Sequence, residues 1–275
     1  MQQYLPRIVD RELALRLEAF GATLIVGPKW CGKTTTGQQQ AKSILRMQDP
    51  DKKAAYLATA EAKPSLLLKG DNPRLIDEWQ TIPFLWDAIR SSVDERGEKG
   101  QFILTGSAVP QDDQILHTGT GRIAWLKMYP MSLYESGDSS GNISLYELFN
   151  NPKEIKTAQS PLSVQRIASV LCRGGWPDSI NTDEHTSALI TSNYVNAVCE
   201  SDVSRVLGGI KYPNMVRAIL RAYARNISTL ASKSTIHKDV TMNEGSISLP
   251  TFQSYLNALE RIFVIEDIPA WSPSI

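Results

Sequence analysis

Several functional classes are excluded by what the chain lacks. Its 275 residues include three cysteines, Cys31, Cys172 and Cys199, and three histidines. The cysteines are odd in number and far apart, which argues against a disulfide framework and for a reducing, cytosolic setting. Neither a Cys-x-x-Cys nor a His pair at metal spacing occurs, so no zinc site is expected. Neither sign of charge is in excess, with 29 basic and 29 acidic residues and a formal net charge of zero. A globally basic nucleic-acid binder is thus unsupported, although a local patch is not excluded. No run approaches the roughly 18 apolar residues that cross a bilayer. The start, Met1-Gln2-Gln3-Tyr4-Leu5-Pro6-Arg7, lacks the apolar stretch of a secretion signal. A cytoplasmic protein without a membrane role is expected. No spaced acidic or lysine cluster suits a nuclease.

What is present is more specific. Residues 27–34 read Gly27-Pro28-Lys29-Trp30-Cys31-Gly32-Lys33-Thr34, a full match to the phosphate-binding pattern G-x-x-x-x-G-K-[ST]. The apolar run Ala22–Val26 leads in as a strand, and a helix over Lys33 to about Arg46 leads out. Loop amides and the positive end of a helix dipole would face phosphate oxygens, with Thr35 beside them in the first turn. Lys33 would neutralise the β- and γ-phosphates, and Thr34 would ligate Mg²⁺. Cys31 either offers an oxidisable block on nucleotide binding or is a tolerated variable position.

A second segment, Pro73-Arg74-Leu75-Ile76-Asp77-Glu78-Trp79-Gln80, ends an apolar run in adjacent carboxylates. Strand alternation would send them to different sides, Asp77 toward the metal and Glu78 toward the attacking water. A third strand, Gln101-Phe102-Ile103-Leu104-Thr105-Gly106-Ser107, turns abruptly small and polar. If it lies between the first two, Thr105, or failing that Ser107, would sense the γ-phosphate or its water. Arg122 precedes a fourth apolar run, Ile123–Leu126. It is either an arginine finger for a neighbouring subunit's ATP or a plain surface arginine.

These segments, with Met131-Ser132-Leu133-Tyr134-Glu135, resemble a large prokaryotic family of AAA-superfamily ATP-binding proteins that carry a C-terminal domain of unknown function. The match is specific over the first 135 residues and softer beyond. The resemblance implies an AAA-type core, ATP and Mg²⁺ as ligands, and usually a longer polypeptide. It implies no settled biological role. By analogy with related ATPases, the Arg173-Gly174-Gly175-Trp176-Pro177 turn would bring Trp176 and Pro177 to the base and Arg173 to the phosphates. The plainer alternative is a capped helix with a buried tryptophan.

The expected architecture is α/β. An AAA-like P-loop core fills 1–160, with a parallel sheet sandwiched by helices and ligands at the strands' carboxyl ends. A helical lid follows over 161–226 and a winged helix-turn-helix-like segment over 227–275. Within this layout Asp10–Phe20 is a helix capped by Asp10, Ala54–Ala58 a strand, and Thr81–Val93 a helix. Further helices are expected over Leu162–Cys172, Thr186–Leu207, Tyr212–Ala224, Ile227–Ala231, Thr235–Val240 and Ser248–Arg261, with a wing strand over Ile262–Ile268. The last helix, with Ser248, Thr251, Gln253, Ser254 and Asn257 exposed, offers few cations for DNA, so a protein-packing winged helix is favoured over a DNA reader. Lys211, Arg217, Arg221, Arg225, Lys233 and Lys238 are the candidate cations. The closing strand has no visible partner, and the family is usually longer, so truncation before or within the C-terminal domain is expected. The function expected is Mg-dependent ATP hydrolysis coupled to lid and winged-helix movement. The alternative is a nucleotide-gated module for a protein or DNA partner, and a homo-oligomer is compatible with either.

Overall fold

Five short runs rich in aliphatic residues, each followed by a turn and a helix or loop, set the architecture. In a computed structural model that describes residues 4–107, 119–154, 159–208 and 212–269, these runs are strands β1 (Ala22–Val26), β2 (Ser43–Arg46), β3 (Arg74–Asp77), β4 (Phe102–Gly106) and β5 (Ile123–Lys127). All neighbours are parallel, in the order β2-β3-β4-β1-β5. This is the α/β P-loop NTPase fold, and β4 does lie between β1 and β3. The three central strands carry almost wholly buried aliphatic side chains, as a sheet covered on both faces requires.

Register fixes which residues share a face. Leu75 lies level with Ile103, and Thr105 with Ile25. On that face Leu13 and Leu17 of α1 (Val9–Ala19) join Ile25, Leu75, Ile103, Leu126 and Met128 in one buried cluster. Helix α2 (Lys33–Gln40) packs there too. Phe102 points the other way, where Arg96 of α4 (Leu85–Arg96) stacks 5.3 Å from its ring centroid. Trp79 and Trp86 are both buried, with ring centroids 5.0 Å apart.

Several sequence expectations are corrected. The helix after the loop stops at Gln40, and Ser43–Arg46 forms β2 instead of a helical tail. The segment Ala54–Ala58 lies inside α3 (Lys53–Ala62); its alanines favour a helix, and it has no strand neighbour to satisfy its amides. Asp10 falls in the first turn of α1, not at its cap, and its carboxylate accepts the Arg7 amide at 2.8 Å.

The chain divides into two compact units, Met1–Ala188 and Leu189–Ile275, so the division does not coincide with the expected boundaries at 160 and 226. The first also contains α5 (Leu145–Asn150) and α6 (Val164–Arg173), and α7 (Glu184–Ala197) carries the chain across. The second is helical: a π-helical turn (Val198–Asp202), α8 (Val203–Leu207), α9 (Pro213–Arg225), α10 (Lys233–Asn243) and α11 (Leu249–Arg261). Ser248 caps α11, accepting the Thr251 amide. No helix forms over Ile227–Ala231, which is a turn. Nor does Ile262–Ile268 form the wing strand: Phe263 turns left-handed (φ 60), its amide and that of Val264 bond back to Glu260 and Leu259, and no strand is present among the unit's described residues to pair with it. No helix among the described residues is long and apolar enough to cross a membrane.

In the first unit the Asp138 side chain is 7% exposed, and its carboxylate accepts from Arg173 and Arg166 at 2.8 and 2.7 Å. Burial raises its pKa, but hydrogen bonds from Arg166, Ser136 and Arg173 outweigh this and hold it at about 2. Its stabilisation is therefore present above the unfolded value near 3.8 and lost as pH falls through about 2. Asp138→Asn should unfold about 2 kcal/mol more easily than wild type at neutral pH. That gap should close between about pH 4 and pH 2, as measured by urea midpoints.

Candidate functional site

The loop after β1 is shaped by close backbone approach. Gly27 has φ 154, and a Cβ there would lie 2.1 Å from the carbonyl oxygen of Met128, so any other residue would push the loop off the end of β5. Gly32 is left-handed (φ 99) and opens α2. Lys33 is only 6% exposed, and its ammonium donates to the carbonyls of Gly27 and Pro28 at 2.9 and 2.8 Å. Burial lowers its pKa, opposed by the charges of Cys31, Glu78 and Asp77. Trp30 at the loop tip is also left-handed and about half exposed, with Lys29 partly buried beside it and Thr35 exposed in the first turn of α2. Cys31 is fully buried within the cluster under α1, and burial pushes its thiol up. An inert core thiol fits this better than an oxidisable block.

The acidic pair lies against that loop. Thr34 and Thr105 each donate a hydroxyl to Oδ1 of Asp77 at 2.6 Å. Thr105 is fully buried and also accepts the Glu78 amide at 3.1 Å. Its hydroxyl is thus committed to bracing the two acids. Strand alternation is not what separates them. β3 ends at Asp77, and Glu78 sits beyond it in a left-handed conformation, φ 55 and ψ 50. That conformation is strained for a residue with a side chain. The Glu78 carboxylate receives Gln80 Nε2 and, at 3.4 Å, Ser107 Oγ.

Sequence reasoning missed a brace behind the loop. Arg7, its side chain 4% exposed, donates to the carbonyls of Cys31 and Tyr129 at 2.7 Å each and to Glu135 at 3.0 Å. Glu135 also accepts the amides of Ile8 and Ser132 at 2.8 Å. Burial raises the pKa of Glu135, but these amides and Arg7 outweigh it and hold it below the usual carboxylate range. Arg7 and Glu135 are 128 residues apart, so no local pattern joins them. The stretch ending at Glu135 carries part of the family resemblance, which assigns that carboxylate no role.

The Gly-Gly-x-Pro turn does come to the loop. Pro177 Cγ lies 3.6 Å from where a Cβ on Gly32 would stand, Trp176 packs against the cluster holding Cys31, and the Met131 amide bonds Gly175 at 2.6 Å. Arg173, expected at the phosphates, is paired with Asp138 at 2.8 Å. Arg122 stands at the amino end of β5, level with the start of β1, where its carbonyl receives the Ala22 amide. That is the opposite rim of the sheet from its own loop, and its guanidinium bonds Asp94 at 2.8 Å.

The residues present fit a magnesium nucleotide. Mg²⁺ takes hard oxygens, few of them from protein, and leaves the rest to phosphates and water. One hydroxyl and one carboxylate on a shared hydrogen bond, beside an ammonium and a helix N-terminus, are such a set. In the helical unit, by contrast, Arg217, Arg221, Arg225 and Lys233 are paired with Glu200, Glu244, Asp239 and Glu260. Lys211 lies outside the described residues.

Residues 19–137 match an AAA domain and residues 164–275 a domain of unknown function, DUF8612. An uncharacterised protein of Mycobacterium tuberculosis is 25% identical over 260 residues, covering 92% of this chain and 50% of that protein. An uncharacterised protein of Haemophilus influenzae is 24% identical over 195 residues, covering 70% and 43%. The chain spans about half the length of the curated relatives it matches. Among solved structures, a Walker-type ATPase of Pyrococcus abyssi aligns with a TM-score of 0.52 at 15% identity, over 94% of this chain and 90% of that one, which shows the fold.

The brace yields a prediction. Arg7→Met leaves Glu135 buried without its cation and should cost about 3 kcal/mol of stability by urea unfolding, with weaker ATP binding by calorimetry. Unchanged stability and affinity would show the brace to be idle.

Proposed function

We propose that this chain binds ATP with Mg²⁺ at the loop Gly27–Thr34 and hydrolyses it to ADP and phosphate. The observation that carries this reading is the convergence of the Thr34 and Thr105 hydroxyls on Asp77, with Glu78 the next residue. The fold and the AAA match support nucleotide binding in general; the assignment of individual roles is our own.

Loop amides and the start of α2 hold the phosphates, and Lys33 exchanges its two carbonyl partners for β- and γ-phosphate oxygens. Thr34 and Asp77 hold Mg²⁺, which supplies charge neutralisation at the phosphates. Glu78 orients a water toward the γ-phosphorus and takes its proton as the bond to ADP breaks. Thr105 keeps both acids in register. Trp176 and Pro177 flank the base. Arg122, remote from its own loop, would serve a neighbouring copy in an oligomer. Turnover would be coupled to movement of the helical region that starts at Gly174-Gly175.

Lys33→Ala should lose ATP affinity by tenfold or more (about 1.4 kcal/mol per decade). Glu78→Gln should bind ATP with near wild-type affinity yet turn over about a hundredfold more slowly. Calorimetry with phosphate release checks both. Lys33→Ala that binds and cleaves ATP as wild type does removes the site assignment. Wild type that binds ATP without cleaving it leaves the nucleotide-gated module as the reading.

A further inference from the structure

Glu78 is the group asked to handle water, yet its backbone sits in a left-handed turn beyond the strand, so the strand does not aim its carboxylate. The terminal torsion of a glutamate is broad and poorly self-determined. Something else must fix it. We propose that Gln80, assisted by Ser107, is a positioning residue that clamps one oxygen of Glu78 and leaves the other for the attacking water; this rests on the hydrolytic reading above.

Both donors meet the same atom. Gln80 Nε2 and Ser107 Oγ each bond Glu78 Oε2, and among the described residues none donates to Oε1. With one oxygen held from two directions, from the turn after β3 and from the end of β4, the carboxylate plane is set. The second oxygen keeps its lone pairs for a water hydrogen.

The orientation of the Gln80 amide is settled by chemistry. Were it flipped, its carbonyl oxygen would face the carboxylate, acceptor against acceptor. As placed, Oε1 is buried without a hydrogen-bond partner among the described residues, and the buried indole nitrogen of Trp79 likewise has none among them. Both border the space over Gly106, where an added Cβ would stand 3.0 Å from Gln80 Oε1 and 3.2 Å from Trp79 Nε1. A merely space-filling side chain would not need an amide here, since its other end gains no partner. The amide earns its place at the Glu78 end.

The clamp acts only through Glu78, which makes it separable from a structural role. Gln80→Met keeps the shape and removes the donor. Its kcat for ATP should fall about tenfold, a fraction of what a general base supplies, with Kd for ATP unchanged. Placed on Glu78→Gln, it should cause no further loss, because the group it positions is already gone. Ser107→Ala, at the longer contact, should show the same pattern with a drop of about twofold, and it carries the test if Gln80→Met fails to fold. Single-turnover phosphate release and calorimetry read both quantities. Losses that add fully on the Glu78→Gln background, or a rise in Kd matching the fall in kcat, overturn the clamp, as does unchanged or faster kcat. Wild type that binds but does not cleave ATP overturns the hydrolytic reading and the clamp together. Wild-type cleavage with unaltered Gln80→Met and Ser107→Ala overturns the clamp alone.

Discussion

One carboxylate oxygen holds the site together. Oδ1 of Asp77 takes the hydroxyl hydrogens of Thr34, from the helix after β1, and Thr105, from the end of β4. Three segments that are 43 and 28 residues apart in sequence are joined at a single atom. The strand order makes this possible: β4 lies between β1 and β3, so all three carboxyl ends open on one rim. Hydrogen bonds to a charged acceptor are roughly twice as strong as neutral ones. An arrangement that spends two of them on one atom is built to hold its shape.

Around that atom the backbone accepts strain and crowding. Gly27 lies against the Met128 carbonyl, Trp30 and Glu78 are left-handed, and Lys33 is buried among loop carbonyls. Such features persist only where the surroundings over-determine them. Arg7 and Glu135 are part of that surrounding, tying the segment before α1 to the loop and to the chain after β5.

The parts legible in the sequence were those whose chemistry demands a local pattern. The loop Gly27–Thr34 and the strand Ala22–Val26 can be read directly, because few other residues allow that backbone. Asp77 and Thr105 at strand ends follow from apolar runs that stop in polar residues. What could not be read depends on distance or on partners. Arg7 and Glu135 meet only in the fold. Ala54–Ala58 is apolar enough for a strand, but its composition favours a helix, while the short Ser43–Arg46 run becomes a strand because β3 offers it an edge. Ile262–Ile268 has strand composition and no partner, and it does not pair. The basic residues of α9 suggest a patch until Asp239, Glu200 and Glu244 are seen beside them.

The central claim is that Thr34 and Asp77 form one cation site with a bound triphosphate. It is tested most directly by titrating Mn²⁺, an oxygen-seeking stand-in for Mg²⁺, into protein with a non-hydrolysable ATP analogue and following bound metal by electron paramagnetic resonance. One tightly held Mn²⁺ per chain in wild type, lost in Thr34→Val while the analogue still binds, is the result predicted. Equal Mn²⁺ binding by wild type and Thr34→Val would contradict the account.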